Sequence, residues 1–453
     1  MEKTHNLING KAFITFAIIA HMTLFSSVLS ASAADHYVAP TGSATWALSV
    51  SQSTPCSVST AMANAAAGDT VYFFPGTYAT GMQSSNYHIP ILNPSNSGTA
   101  GAPIVFKSLV PFGAILQGTP YTGTQTAAII GAYNKTYVTW DGFIVTTQNS
   151  STAALVQIDN SNYITIQNCE LIGGTFSNSG NNVAGVIVLD SSYCSVNNNY
   201  IHGYIDPNNN HNTAGIWTCN SVGNHFFNNT FYNNTENIYS KYKSDSDVYN
   251  NNLLGPLANL STNANFYVQN YNGLVTSLSI YQNIVIGGGY GISLDTSQNA
   301  GNSAKIYNNT FYGQTIGAMG VGTKLTTTWS FYNNIVAGSP QQSVIWTYSA
   351  ANPGQLDFNN YYSSGKYSAR VYDTVCTATT LGNWQTTCKY DLNSVTTDPG
   401  FVNPGGNKAS DYKRKSYPSN GINGSVMGAY LTGTEVIGVS VIPPRNLGIT
   451  TVQ

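Results

Sequence analysis

Charge is scarce in this chain. Only 8% of its 453 residues are Asp, Glu, Lys or Arg, against about a quarter in an ordinary soluble protein. The formal net charge is −2, which leaves no basic field for nucleic acid and no strongly acidic surface. Arginine occurs only at Arg370, Arg414 and Arg445. The six cysteines include no CxxC pair, so zinc-ligand spacing is absent. Past the N-terminus no stretch approaches the roughly 18 uninterrupted apolar residues of a spanning helix. A dense Leu pattern and a 3.6-residue period are also missing, which excludes leucine-rich and helical repeats.

What is present is one phrase that returns between Ile164 and Gly365. It reads ITIQNCELIG, SVNNNYIHG, FFNNTFYNN, VYNNNLLG, IYQNIVIGG, IYNNTFYG, FYNNIVAG and DFNNYYSSG. Each copy has apolar residues in alternation, an Asn, then a second short apolar pair. The Asn positions are Asn168, Asn198, Asn229, Asn251, Asn283, Asn309, Asn334 and Asn360, at intervals of 30, 31, 22, 32, 26, 25 and 26 residues. A fixed unit with variable loops is the signature of a solenoid. Period-two alternation makes strands with one face inside, and no single copy can bury that face alone. Stacked copies can, so the pattern predicts an all-β fold, a right-handed parallel β-helix with three strands per coil. Its Asn side chains are expected to bond the coils above and below, with Asn283, Asn309 and Asn334 in one row.

Lys3 and Lys11, an apolar run from Ala12 to Leu29 and the small residues Ala31 to Ala34 read as a secretory signal peptide over residues 1–34. The mature chain is then exported. The β-helix domain is expected over 35–435, with an N-terminal cap at about 36–80, an irregular C-terminal cap at about 366–435 and a tail or linker at 436–453. Ser57–Ala67 reads as a capping helix across the open end of the sheet. Cys376 and Cys388 are close enough in an exported chain to form a local disulfide. The chain reads as a monomer.

Aligning the first strand of successive coils gives ALVQID, GVIVLD, GIWTCN, NIYSKY, NFYVQN, GISLDT, GAMGVG and VIWTYS. With Ile216, Ile238 and Ile292 inside, the outward pairs are Ile187 and Leu189, Trp217 and Cys219, Tyr239 and Lys241, Tyr267 and Gln269, Ser293 and Asp295, Met319 and Val321, Trp346 and Tyr348. An exposed strip on the order of 40 Å long suits a polymer. Its aromatic rings, Trp217, Tyr239 and Tyr267 among them, suit the apolar faces of sugars, so a polysaccharide or cell-surface glycan is the expected partner. They serve equally as a cross-strand ladder that stabilises the sheet. Lys243, Gln269 and Asp295 are further substrate-binding candidates, with His211 reaching in from the loop GYIDPNNNHNTA.

The helix followed by GDTVYFFPGTY and APIVFKSLVPFGAILQG resembles the start of right-handed β-helix proteins of the pectate-lyase-like class. Within it, NHFFNNTFYNNTENIYSKYKS (Asn224 to Ser244) is similar to the catalytic coil of the polysaccharide lyases that include chondroitinase B and alginate lyases. That resemblance implies β-elimination on an acidic polysaccharide. Lys241 would be the base, Glu236 a calcium ligand, and calcium the cofactor that offsets the substrate carboxylate. A lysine base needs a pKa lowered by burial or by nearby positive charge, which Lys243 could supply. Lys241 and Tyr267 are thus the catalytic candidates. The chain departs from the family at Asn234, where a second acidic ligand is expected, and at Asn265-Phe266-Tyr267, where an Arg is expected. A non-catalytic glycan-binding, adhesive or structural β-helix is the alternative. Glycosidase chemistry needs clustered carboxylates, and Asp190 and Asp295 stand apart. Asp206-Pro207-Asn208 matches only part of an epimerase motif.

Overall fold

A computed structural model describes residues 33–438, apart from 82–85, 120–126, 148–153, 177–181, 209–211, 259–262, 270–275, 296–301, 322–328, 340–341, 348–352, 363–365 and 372–373. Residues 1–32 of the predicted signal segment therefore lie outside the described residues, as do His211, Tyr348 and most of the predicted tail.

Among the described residues the chain winds through three sheets, here A, B and C, of 12, 11 and 11 strands. One coil illustrates the path: Ala154–Asp159 in sheet C, Thr165–Gln167 in sheet A, a corner, then Glu170–Ile172 in sheet B. Each strand pairs in parallel with its equivalent one coil away, as Val186 does with Ile216 and Ile166 with Val196. The result is a parallel β-solenoid. Sheet C ends differently, on an antiparallel pairing of Lys366–Val371 with Thr374–Ala378. Residues facing the solenoid axis form one continuous core from Val38 to Trp384.

In five of the copies two adjacent Asn divide their labour at the corner between sheets A and B. The first takes a left-handed backbone: φ is 54° at Asn198, 55° at Asn228, 53° at Asn251, 53° at Asn308 and 54° at Asn333. Asn tolerates that region better than most residues because its short polar side chain can bond locally. The second then turns inward and is fully buried. Nδ2 of Asn199 donates to Oδ1 of Asn229 at 3.1 Å, Asn229 to Asn252 at 3.1 Å, Asn252 to Asn283 at 3.1 Å and Asn283 to Asn309 at 3.0 Å. Asn309 donates to Asn334 at 3.1 Å, and Asn334 to Asn359 at 3.3 Å. Each Oδ1 also accepts a backbone N–H from the preceding member, as Asn309 does from Asn283 at 3.0 Å. Where two Asn are adjacent, pattern alone did not tell the turn former from the inward residue. The row therefore runs through Asn199 and Asn252 rather than Asn198 and Asn251; in the first copy Asn168 is the turn former and Cys169 takes the inward place, and in the last copy Phe358 turns and Asn359, not Asn360, lies in the row.

Near the N-terminus a helix occupies Val58–Asn64, started by Ser57, whose Oγ accepts from the Thr60 N–H at 3.1 Å. Its Ala61 and Met62 join the core. It stops three residues short of the predicted Ala67. The Cys376–Cys388 disulfide is present.

The C-terminal segment differs most from expectation. Instead of only closing the end, it doubles back along the outside of sheet B. Val395 N–H bonds the Asn359 carbonyl at 2.8 Å, Ala429 N–H bonds Thr310 Oγ1 at 3.0 Å, and Gly438 N–H bonds the Asn251 carbonyl at 2.8 Å. The cause is apolar surface: Leu253, Ile284, Ile286, Ile335 and Ala337 are buried in one cluster with Phe401, Tyr412, Met427, Tyr430 and Ile437. Ile437, expected in a free tail, is a packed residue of this strap.

Candidate functional site

The outer face of sheet C carries the predicted strip. Register places Ile187, Trp217, Tyr239, Tyr267 and Ser293 in one row, and Leu189, Cys219, Lys241, Gln269 and Asp295 in the next. The two later coils are displaced by one residue from the predicted alignment. Ser293 pairs with Gly320 and Gly320 with Ile345. Met319 and Val321 are thus core residues, and Trp346 lies on the row of Val321. The small residues of GAMGVG carry no side-chain pattern to set register, and a one-residue slip exchanges the faces.

The strip is turned outward, yet its rings are not exposed. Trp217, Tyr239 and Tyr267 retain 4%, 1% and 9% of their surface and form, with Ile187, Cys219 and a column of alanines, an apolar cluster separate from the core. Rings one strand apart cover one another: the Tyr239 and Tyr267 centroids are 5.2 Å apart. Tyr242 and Tyr290 pack against them. Trp217 and Tyr239 therefore offer no open stacking face to a sugar. The ladder reading, in which such rings stabilise the sheet, describes them.

Their arrangement instead supports Lys241. Its amine lies 5.6 Å from the centroids of both Tyr239 and Tyr242, within range of a cation–π attraction, and 3.4 Å from Oδ1 of Asn212. Burial pulls its pKa below the ordinary lysine value. Beside it, burial pushes the Cys219 thiol up to about 12, so that sulfur stays protonated and inert at neutral pH. Tyr239 donates its hydroxyl to Gln269 on the next strand. Immediately after Lys241 the register shifts: Cys219 pairs with Lys241 but Ser221 with Ser244. Tyr242 takes φ of 56° in this bulge, a device that re-aims side chains beside functional sites. Lys243 sits in the bulge, partly buried.

Glu236 lies at the start of the same strand, paired with Ala214, and is completely buried. Asn234, at the expected second ligand position, is turned inside. Its Oδ1 accepts from Tyr204 N–H at 3.0 Å and its Nδ2 donates to the Ile201 carbonyl at 3.1 Å. Among the described residues no three His, Cys, Asp or Glu side chains converge as a metal site. Calcium takes six to eight oxygens, more than Glu236 supplies beside an Asn234 amide committed to the backbone. Asp295 keeps its row position.

One part of the face was missed. Extending the same alternation one coil back through ALVQID places Gln157 beside Ile187 and Asp159 beside Leu189. Both are buried, and His88 reaches Asp159 with Nδ1 at 2.5 Å from Oδ2. The alternation signals Gln157 and Asp159, whereas nothing in the sequence signals His88, which arrives from a separate segment.

No protein-family model matches the chain, and no curated protein matches it. Among solved structures the chain is similar to the pectate lyase Pel9A, at 19% identity and a TM-score of 0.51, over 87% of this chain and 96% of that one. An alginate lyase from Paenibacillus sp. str. FPU-7 matches at 16% identity and a TM-score of 0.42, over 66% of this chain and 99% of that one. At such identities the likeness to Pel9A shows the fold.

Proposed function

We propose that the chain is an exported β-solenoid that binds an acidic polysaccharide over the outer face of sheet C and cleaves it by β-elimination. The observation that carries this reading is the place of Lys241: outward, half-buried, its pKa lowered by burial, on a strand that bulges directly after it. A neutral amine can take the proton next to a uronate carboxyl group. The C–H electron pair then becomes a carbon–carbon double bond as the glycosidic oxygen leaves with its own pair and acquires a proton. Tyr267, one strand along, is the phenol in this surface that can return that proton. Lys243 supplies positive charge near the carboxylate.

The arginine count supports a second reading, a glycan-binding solenoid without catalysis. Arg414 is committed to the carbonyls of Met427 and Tyr430, at 2.8 and 3.2 Å, and so cannot neutralise a substrate carboxylate at Lys241. Ultraviolet absorbance of unsaturated ends, followed on polygalacturonate, alginate and chondroitin, separates the two. A rise on one polymer supports cleavage, and retention of a polymer with no rise supports binding alone.

A further inference from the structure

Four strands of sheet C link Lys241 to a second polar group. The row runs Asp159, Leu189, Cys219, Lys241, three strand spacings or roughly 14 Å. At its far end Asp159 is nearly fully buried and accepts from Nε2 of Gln157 at 3.0 Å as well as contacting His88. Burial pushes the Asp159 carboxyl up, and the bonds from His88 and Gln157 pull it back. A carboxylate bonded to Nδ1 fixes the proton there and leaves Nε2 as an acceptor. The His88 side chain keeps 34% exposure. Tyr87, 42% exposed, lies ring to ring with it at 4.1 Å. A His–Asp pair made only for stability needs neither a part-exposed imidazole nor an exposed aromatic beside it.

We propose that His88, oriented by Asp159 and Gln157 and flanked by Tyr87, is a remote subsite for one sugar unit of the polymer bound at Lys241. A sugar hydroxyl donates to Nε2 of His88, and the exposed side of the Tyr87 ring meets the apolar face of the sugar. This rests on the polysaccharide reading of the same face. It adds a direction, because the bound chain then runs along the solenoid axis from Lys241 toward the N-terminal coils.

The test uses chain length. In a Lys241→Ala background, in which polymer is held but not cut, calorimetric titration with trimers and octamers of galacturonate and of alginate gives two affinities per polymer. The octamer of one polymer should bind roughly tenfold tighter than its trimer. Adding His88→Ala should remove most of that gap while leaving the trimer affinity in place. Tyr87→Ala, at an exposed position, should narrow the same gap. An undiminished gap in both variants overturns the subsite and leaves the Lys241 reading standing. Failure of every octamer to bind overturns both.

Discussion

Asn359 donates its side-chain amide to Oδ1 of Asp391 at 3.0 Å, and the row of inward amides ends there on a carboxylate. Asp391 also accepts from Trp384 Nε1 at 2.9 Å, Ser394 Oγ at 2.7 Å and the Tyr361 hydroxyl at 3.2 Å. One buried acid thus closes the last coil. Asp391→Leu would leave these donors unpaired in the interior. The expected cost is on the order of 3 kcal/mol or more, read as a lowered midpoint in urea.

Within the row, Asn309→Leu removes bonds to Asn283, Asn334 and the Ile280 carbonyl and should cost about 1–3 kcal/mol. Asn198 stands at the equivalent turn position rather than in the row. Asn198→Gly, which suits its φ of 54°, should stay within about 0.5 kcal/mol of wild type. Equal losses in the two variants would contradict the division of labour between paired asparagines.

Asp247 occupies a second inward series, where it accepts from Asn224 N–H at 2.8 Å and Ser221 Oγ at 2.7 Å. Burial pushes its pKa up to about 7. An acid whose folded pKa exceeds its unfolded value, near 3.9, is protonated longer in the native state. The unfolded chain then binds fewer protons, so stability falls as pH rises from about 4 to about 7 and levels above that. Asp247→Asn keeps the shape and the acceptor. It should flatten this slope and stabilise the protein at pH 8 relative to wild type, as shown by melting temperatures across pH.

For Lys241 the expected signature is kinetic. Lys241→Ala should abolish unsaturated product with little change in folding or polymer retention. Lys241→Arg keeps the charge but cannot release a proton at any working pH, so it should be equally inactive. In wild type, activity should rise with pH through a limb below the ordinary lysine value, since burial lowers that pKa. Activity surviving in Lys241→Arg would remove this residue from the reaction.

Repetition made much of the fold legible. Eight copies of one phrase predict three strands per coil, the inward row and the outward one, because alternation in a strand can be read without knowing its partners. Lys241 could be placed beside Tyr239 and between Cys219 and Gln269 for the same reason. Legibility failed where side chains were too small or too alike. The glycines of GAMGVG hide a one-residue slip, and paired asparagines look identical although one bends the backbone and the other bonds the next coil. Nor does alternation alone say what covers the outward Ile284, Ile286 and Ile335.

By itself the sequence determined the solenoid, its parallel stacking and the face on which Lys241 lies, since each follows from local periodicity repeated many times. Only the tertiary structure decided that Trp217 and Tyr239 are covered, that the C-terminal strap runs back over sheet B to Asn251, and that His88 meets Asp159. These are contacts between segments far apart in the chain, 71 residues in the case of His88 and Asp159. Their energy depends on which surfaces the winding brings together, and no periodicity encodes that.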